Sequence, residues 1–233
     1  MRHIVGGDML RNSLLIVFLL LALALGVASW FGRGGGARET GDLPWQVVIL
    51  PDGASRIFGV TLGRTTAREL NARLRNIPRV ALFVAPDGRM SLEAYYGTIS
   101  LGMFEARLDV TLGASRVALI AMAARAVGRQ PTATGAWRLA LTETDTLRAY
   151  GLPITGITYV PRVRYDEDLV LKSFGSPVER VAVSDGQVYW LYPQRGLALL
   201  RGRDGHAVLY YVAPSAFAGV RTRIDGMGMV QGN

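Results

Sequence analysis

The stretch LLIVFLLLALALGVASWF, Leu14 to Phe31, carries no charged residue. A helix needs roughly 18–20 apolar residues to cross the hydrocarbon core of a bilayer, so this run is long enough to span. Trp30 and Phe31 stand where an aromatic belt lies, and Arg33 follows. The run is expected to be an uncleaved transmembrane anchor. A cleaved signal peptide is the alternative, because Val27-Ala28-Ser29 places small residues at a cleavage-compatible point. The apolar region of such a peptide is usually only about 7–15 residues long, which favours the anchor. Arg2 and Arg11 before the run are matched by Arg33 and Arg38 after it, so the basic flanks do not orient it. The short tail, residues 1–13, favours a cytoplasmic N-terminus. The expected location is the inner membrane, single-pass, with everything after Phe31 in the periplasm. Met9 is an alternative start, giving MLRNSLL as a compact basic entry to the apolar run.

Residues 32–42, GRGGGARETGD, are glycine-rich and lack large hydrophobic side chains, as expected of a flexible linker lifting a domain off the membrane. A phosphate-binding loop would need a Gly-Lys-Ser/Thr that does not follow. The chain has no cysteine, which excludes a disulfide scaffold, a thiol nucleophile, a Cys-ligated metal and lipid attachment at a lipobox. Its formal charge of +8 is carried almost wholly by arginine, Lys172 being the only lysine. The arginines are scattered, so nucleic-acid binding is not expected; lipid headgroups or acidic proteins are the natural anionic partners.

From Leu43 onward, apolar alternation and turn signals give an α+β pattern. WQVVIL (45–50) and RIFGVTL (56–62) read as strands around the turn PDG (51–53). Thr66 and Glu69 have capping-box spacing, with Ala67, Leu70 and Leu74 on one helical face. VALFVA (80–85), a second PDG and SLEAYYG (91–97) form an expected hairpin, and FEARLDVTL (104–112) alternates beside it. Ser115 opens an alanine-rich helix that Gly128 and Pro131 end. AWRLALT (136–142) begins a second half: a strand, a short helix over 144–150, the strand ITGITYV (154–160) and a helix over 165–174. That last helix is acidic in its first turn and carries Lys172 in its last, as the macrodipole prefers. ERVAV, QVYWLY, LALLR and HAVLYYVA, separated by SDG, PQRG and GRDG, read as a four-strand meander. The expectation is two tandem helix-plus-antiparallel-sheet modules, 43–135 and 136–214, behind one N-terminal transmembrane helix over 14–31. Residues 215–233 are expected to be a flexible tail.

The segment LVLKSFGSPVERVAVSDGQVYWLYPQRGLALL ends a helix at Gly175-Ser176-Pro177 and continues into a strand containing Trp190 and Tyr192. It resembles the SmpA/OmlA family of envelope proteins and the wider set of modules with a β-lactamase-inhibitor-like fold. VTLGRTTARELNARL is similar to that family's Leu-Gly-x-Thr helix opening. The resemblance covers about forty residues well and implies a two-layer α/β module with a non-enzymatic envelope role. Those lipoproteins depend on a lipobox cysteine that this chain lacks, so an outer-membrane lipoprotein role does not carry over.

Catalytic chemistry has little to build on. His206 is the only histidine after the apolar run, and a triad with Asp204 and a serine can be drawn, but Asp204-Gly205 is a turn dipeptide and no G-x-S-x-G elbow is present. One histidine without cysteine leaves only carboxylates for a metal. Asp166, Glu167 and Asp168 are consecutive, so on a helix they diverge, and they suit the macrodipole better than a calcium loop. Arg162 and Arg164 lie on one strand face and fit a salt-bridge patch or, less well, an anion contact. No catalytic residue, metal or cofactor is expected. Trp190 and Tyr192 share one sheet face, with Tyr189 and Leu191 on the other. The expected contact surface is Tyr189, Trp190, Tyr192, Arg195 and Tyr210, serving a non-catalytic accessory or assembly factor that binds an envelope or membrane protein. Binding of a lipidic or glycan ligand is the alternative, and a hydrolase the weaker one. Burial of that aromatic strand under the protein's own helices would remove the surface.

Overall fold

The computed structural model describes residues 43–101, 104–183 and 186–229; the expected tail, anchor and linker over 1–42 lie outside the described residues. In chain order the elements are β1 (Val48–Ile49), β2 (Ser55–Ile57), β3 (Val60–Thr61), α1 (Ala67–Leu74), β4 (Arg79–Val84), β5 (Met90–Leu101) and β6 (Phe104–Leu112). They continue with α2 (Arg116–Ala124), β7 (Gly128–Pro131), β8 (Trp137–Ala140), α3 (Glu143–Ala149), β9 (Ile154–Pro161) and α4 (Glu167–Phe174). The last are β10 (Glu179–Ala182), β11 (Val188–Tyr192), β12 (Leu197–Arg201), β13 (Ala207–Val212) and α5 (Phe217–Met229). The class is α+β. Strands β1 to β3 form a small antiparallel sheet. The other ten form one antiparallel sheet in the order β10-β11-β12-β13-β9-β6-β5-β4-β8-β7. Both halves of the sequence share this sheet: β8 pairs with β4, and β9 joins the halves by pairing with β6 on one side and β13 on the other.

Helices α1 to α4 each open on a side-chain N-cap, at Thr66 and Ser115 as the sequence suggests and at Thr142 and Asp166, which the sequence pattern does not single out as caps. Thr66 and Glu69 form a complete capping box, and Ser115, Thr142 and Asp166 each accept from a backbone N–H of the first turn. Gly175 closes α4 at φ 75, a conformation that costs glycine nothing. Phe58 and Gly59 also have positive φ, 51 and 68, which turns the chain between β2 and β3 where the sequence suggested one continuous strand. After α2 the chain does not stay helical to Val127: it ends at Ala124, and Gly128–Pro131 forms the edge strand β7. Pro131 is tolerated there because an edge strand has a row of unpaired backbone groups.

The two faces of the sheet are packed differently. One face buries Leu82, Leu92, Leu108, Tyr159, Trp190 and Tyr211 in a core shared with Leu70, Leu119, Ala149 and Phe174 of the first four helices. The opposite face has its own smaller core, in which Phe217, Val220 and Ile224 of α5 cover Tyr189, Leu191 and Ala198. The segment from Ser215, expected to be flexible, is therefore a helix with a structural task. Residues 217, 220 and 224 follow the i, i+3, i+7 spacing of one helical stripe. Strand β11 needs this second cover because VYWLY is apolar on both sides, as in a strand buried on both faces. In β6, by contrast, Ala106, Leu108, Val110 and Leu112 are buried while Glu105, Arg107, Asp109 and Thr111 face the other way.

Candidate functional site

The aromatic strand is not a surface. Tyr189, Trp190 and Tyr192 are 6 %, 1 % and 4 % exposed, because helices lie over both sides of β11. Trp190 packs in the main core with Arg180 over its ring at 3.9 Å, and Arg180 also pairs with Glu167 of α4 at 2.9 Å. The Tyr192 hydroxyl donates to the Gly175 carbonyl at 2.9 Å. Arg195, in the turn after β11, donates to the Phe174 carbonyl at 2.9 Å. These two bonds satisfy carbonyls at the end of α4, so Gly175, Tyr192 and Arg195 work together as a helix stop. The expected contact made of Tyr189, Trp190, Tyr192 and Arg195 is corrected accordingly: the pattern that marked them records packing on two faces.

Tyr210 has a different setting. It is half-buried on the second face of the sheet, its ring 6.4 Å from that of Tyr189, and burial pushes its phenol up to about 12. In register it lies opposite Thr158, which lies opposite Asp109, which lies opposite Tyr95. This row runs from the part of the face covered by α5 to the part left open. Where cover ends, the sheet and α5 bound an open cleft of about 930 Å³. Its floor includes Thr111, Gly156, Thr158 and Tyr210, and Val220 and Arg223 form the helix side. A Cβ on Gly156 would stand 3.4 Å from the Tyr211 carbonyl and 3.5 Å from the Thr111 hydroxyl, so glycine lowers the floor at its middle.

The lining is amphiphilic and its rim basic. Arg89, Arg116 and Arg223 border the cleft and are exposed, whereas Glu93 is the one acidic residue among the lining residues described. Arg89 is held in the turn after β4 by Asp87, Nε to Oδ2 at 2.6 Å. Beside the floor, Asp109 has its carboxyl raised above the ordinary range by burial, opposed by Arg107, whose Nε is 3.8 Å from Oδ2, and reinforced by Glu93.

The remaining sequence candidates do not meet at this cleft. His206 is 62 % exposed in its turn, with Nε2 3.8 Å from Asp204, and its backbone N–H donates to that same carboxylate. Asp166 caps α4, and Glu167 and Asp168 occupy its first turn. Arg162 pairs with Glu105 at 2.9 Å, just beyond the end of β9. Among the described residues, no group of three or more histidines and carboxylates could hold a metal. The sequence signal that could have located the cleft is the polar alternation of β6 facing the apolar stripe of α5. Comparison with family models, curated proteins and solved structures returns no match to this chain.

Proposed function

We propose that this chain is a non-catalytic, membrane-anchored accessory protein of the cell envelope that binds a partner protein through the cleft between α5 and the open sheet face. The observation that carries this reading is the half-covered second face. Helix α5 shields the apolar strands β11 to β13 and stops where the sheet surface turns polar, leaving a concave, arginine-rimmed recess. Such a recess suits an acidic, partly apolar segment of a partner, since arginines supply orientation and long-range attraction while the floor supplies apolar area. In this reading Leu14 to Phe31 anchors the chain in the inner membrane with the domain in the periplasm. The two helix-plus-sheet halves and the likeness to SmpA/OmlA modules belong to the same proposal.

Replacement of Gly156 by valine tests the reading sterically. A β-branched residue suits a strand, and the new side chain projects into the cleft. Partner association should fall at least tenfold while thermal stability changes little; unchanged association in a folded G156V variant would overturn the assignment.

The size and concavity of the cleft also favour a second reading, a lipidic or glycan ligand, since small-molecule sites span about 300–1,000 Å³. Native mass spectrometry of the detergent-extracted chain distinguishes the two. A discrete bound small molecule, lost in the G156V variant, would replace the protein-partner reading.

A further inference from the structure

Helix α2 carries an apolar face that no other described residue covers. Its inward side chains, Leu119 and Met122, join the main core, while Val117 and Ile120 point outward at 78 % and 48 % exposure. Ala121 and Ala124 complete the outward stripe, and no side chain between Arg116 and Arg125 carries a nitrogen or oxygen atom. Surface helices normally place polar residues on the side away from the core. Just after the helix, Val127 is 71 % exposed beside a shallow apolar recess of about 470 Å³ that also involves Ala123, Ala126 and Trp137. The Arg129 guanidinium lies 3.8 Å over the Trp137 ring.

We propose that this face docks on the surface of an anionic bilayer, with Val117, Ile120 and Val127 entering the headgroup boundary. The inference rests on the anchored location proposed above. Charge is the first argument: Arg116 opens the helix with no acidic residue in its first turn, and Arg129 and Arg148 are exposed nearby. Of the two acidic side chains in the first turn of α3, Asp145 is buried and paired with Arg125, and the exposed Glu143 is outnumbered by Arg116, Arg129 and Arg148. Arginines around a short apolar stripe are what an interfacial helix presents to acidic lipid. Tether length is the second argument. Residues 32–42 can span at most about 3.3–3.6 Å each, so a spanning run at 14–31 keeps the domain within about 40 Å of the membrane. The third is the lack of polar groups on the stripe: a protein interface usually carries about one hydrogen bond per 100–200 Å², whereas a bilayer asks for none.

The cysteine-free chain allows a direct test. Full-length protein with a single nitroxide at V117C or I120C, and a control label at Q194C, is reconstituted into vesicles of phosphatidylcholine with or without phosphatidylglycerol. The ratio of oxygen to aqueous nickel-chelate collision rates should rise several-fold at 117 and 120 in the anionic vesicles and stay aqueous at 194. Equal ratios in both lipids would overturn the anionic-surface assignment. Labels that remain aqueous in a chain that floats with the vesicles would overturn the docking and leave the anchor standing. Labels shielded from both reagents would overturn it in favour of a protein contact, whether a second copy or another chain. A chain that does not float would overturn anchor and docking together.

Discussion

The guanidinium of Arg125 holds the carboxylate of Asp145 with two hydrogen bonds, Nε to Oδ2 at 3.1 Å and Nη2 to Oδ1 at 2.8 Å. Asp145 lies in the first turn of α3 and Arg125 caps the end of α2, so the pair clamps one helix to the next. The Thr142 hydroxyl donates to the same carboxylate. The Arg125 bonds, aided by Thr142, hold the Asp145 carboxyl below its ordinary range. A depressed folded pKa contributes stability that is complete above the unfolded value, about 3.9, and disappears as pH falls through the folded value. Asp145→Asn should therefore be less stable than the parent at pH 7 by an amount that holds steady down to about pH 5 and shrinks below about pH 4. Urea denaturation across that range reads the effect; a pH-independent difference would contradict it.

Asp109 should behave in the opposite sense. Burial raises its folded pKa, so ionisation works against the fold, and this cost is complete only above that raised value. Asp109→Asn should be more stable than the parent at neutral pH, and the gain should vanish as pH falls below about 4. Thermal melts at neutral and acid pH check this. A destabilising D109N at pH 7 would mean that Arg107 outweighs burial.

The two covers of β11 predict two independent losses. Trp190→Ala removes a 1 %-exposed ring from the main core and should cost about 3–5 kcal/mol. Ile224→Ala opens the α5 side and should cost about 2–4 kcal/mol. Val178→Ala, at a residue 72 % exposed, should change stability by less than about 0.5 kcal/mol. Chemical denaturation of all three orders them; an I224A variant as stable as V178A would mean that α5 does not hold the second face.

Arg75 ends α1 at φ 49 and ψ 39, the left-handed region. For a residue with a Cβ this costs about 1–2 kcal/mol. Arg75→Gly should raise stability by about 1 kcal/mol or somewhat less, because glycine also gains freedom in the unfolded chain. A lower midpoint for R75G would show that the arginine side chain contributes more than the strain removes.

The strands, turns and caps of this domain were legible because each is specified locally: Thr66 with Glu69, Ser115, and the alternation over 104–112 all give the observed elements. The sheet order was not, because nothing local tells β8 to return to β4 or β9 to bridge the two halves. The burial of the aromatic strand was not legible for a related reason. Tyr189 and Trp190 look like an exposed aromatic face only if one helical layer covers the sheet. The stripe Phe217, Val220 and Ile224 lies in a segment that loses strand alternation after Pro214 and runs into the small, polar DGMGMVQGN, features that read as a flexible tail. A strand apolar on both sides required a second cover, and α5 was the unassigned segment able to supply it.

The central claim is that the arginine-rimmed cleft is where this protein meets its partner. In-cell photocrosslinking from positions 89 and 223 on the rim, with 194 and 203 as exposed positions away from it, tests that most directly. The account predicts one discrete crosslinked envelope protein from both rim positions and none from the controls, with loss of the product in the G156V chain. Crosslinks from 194 or 203 but not from 89 or 223, in a well-expressed chain, would contradict it.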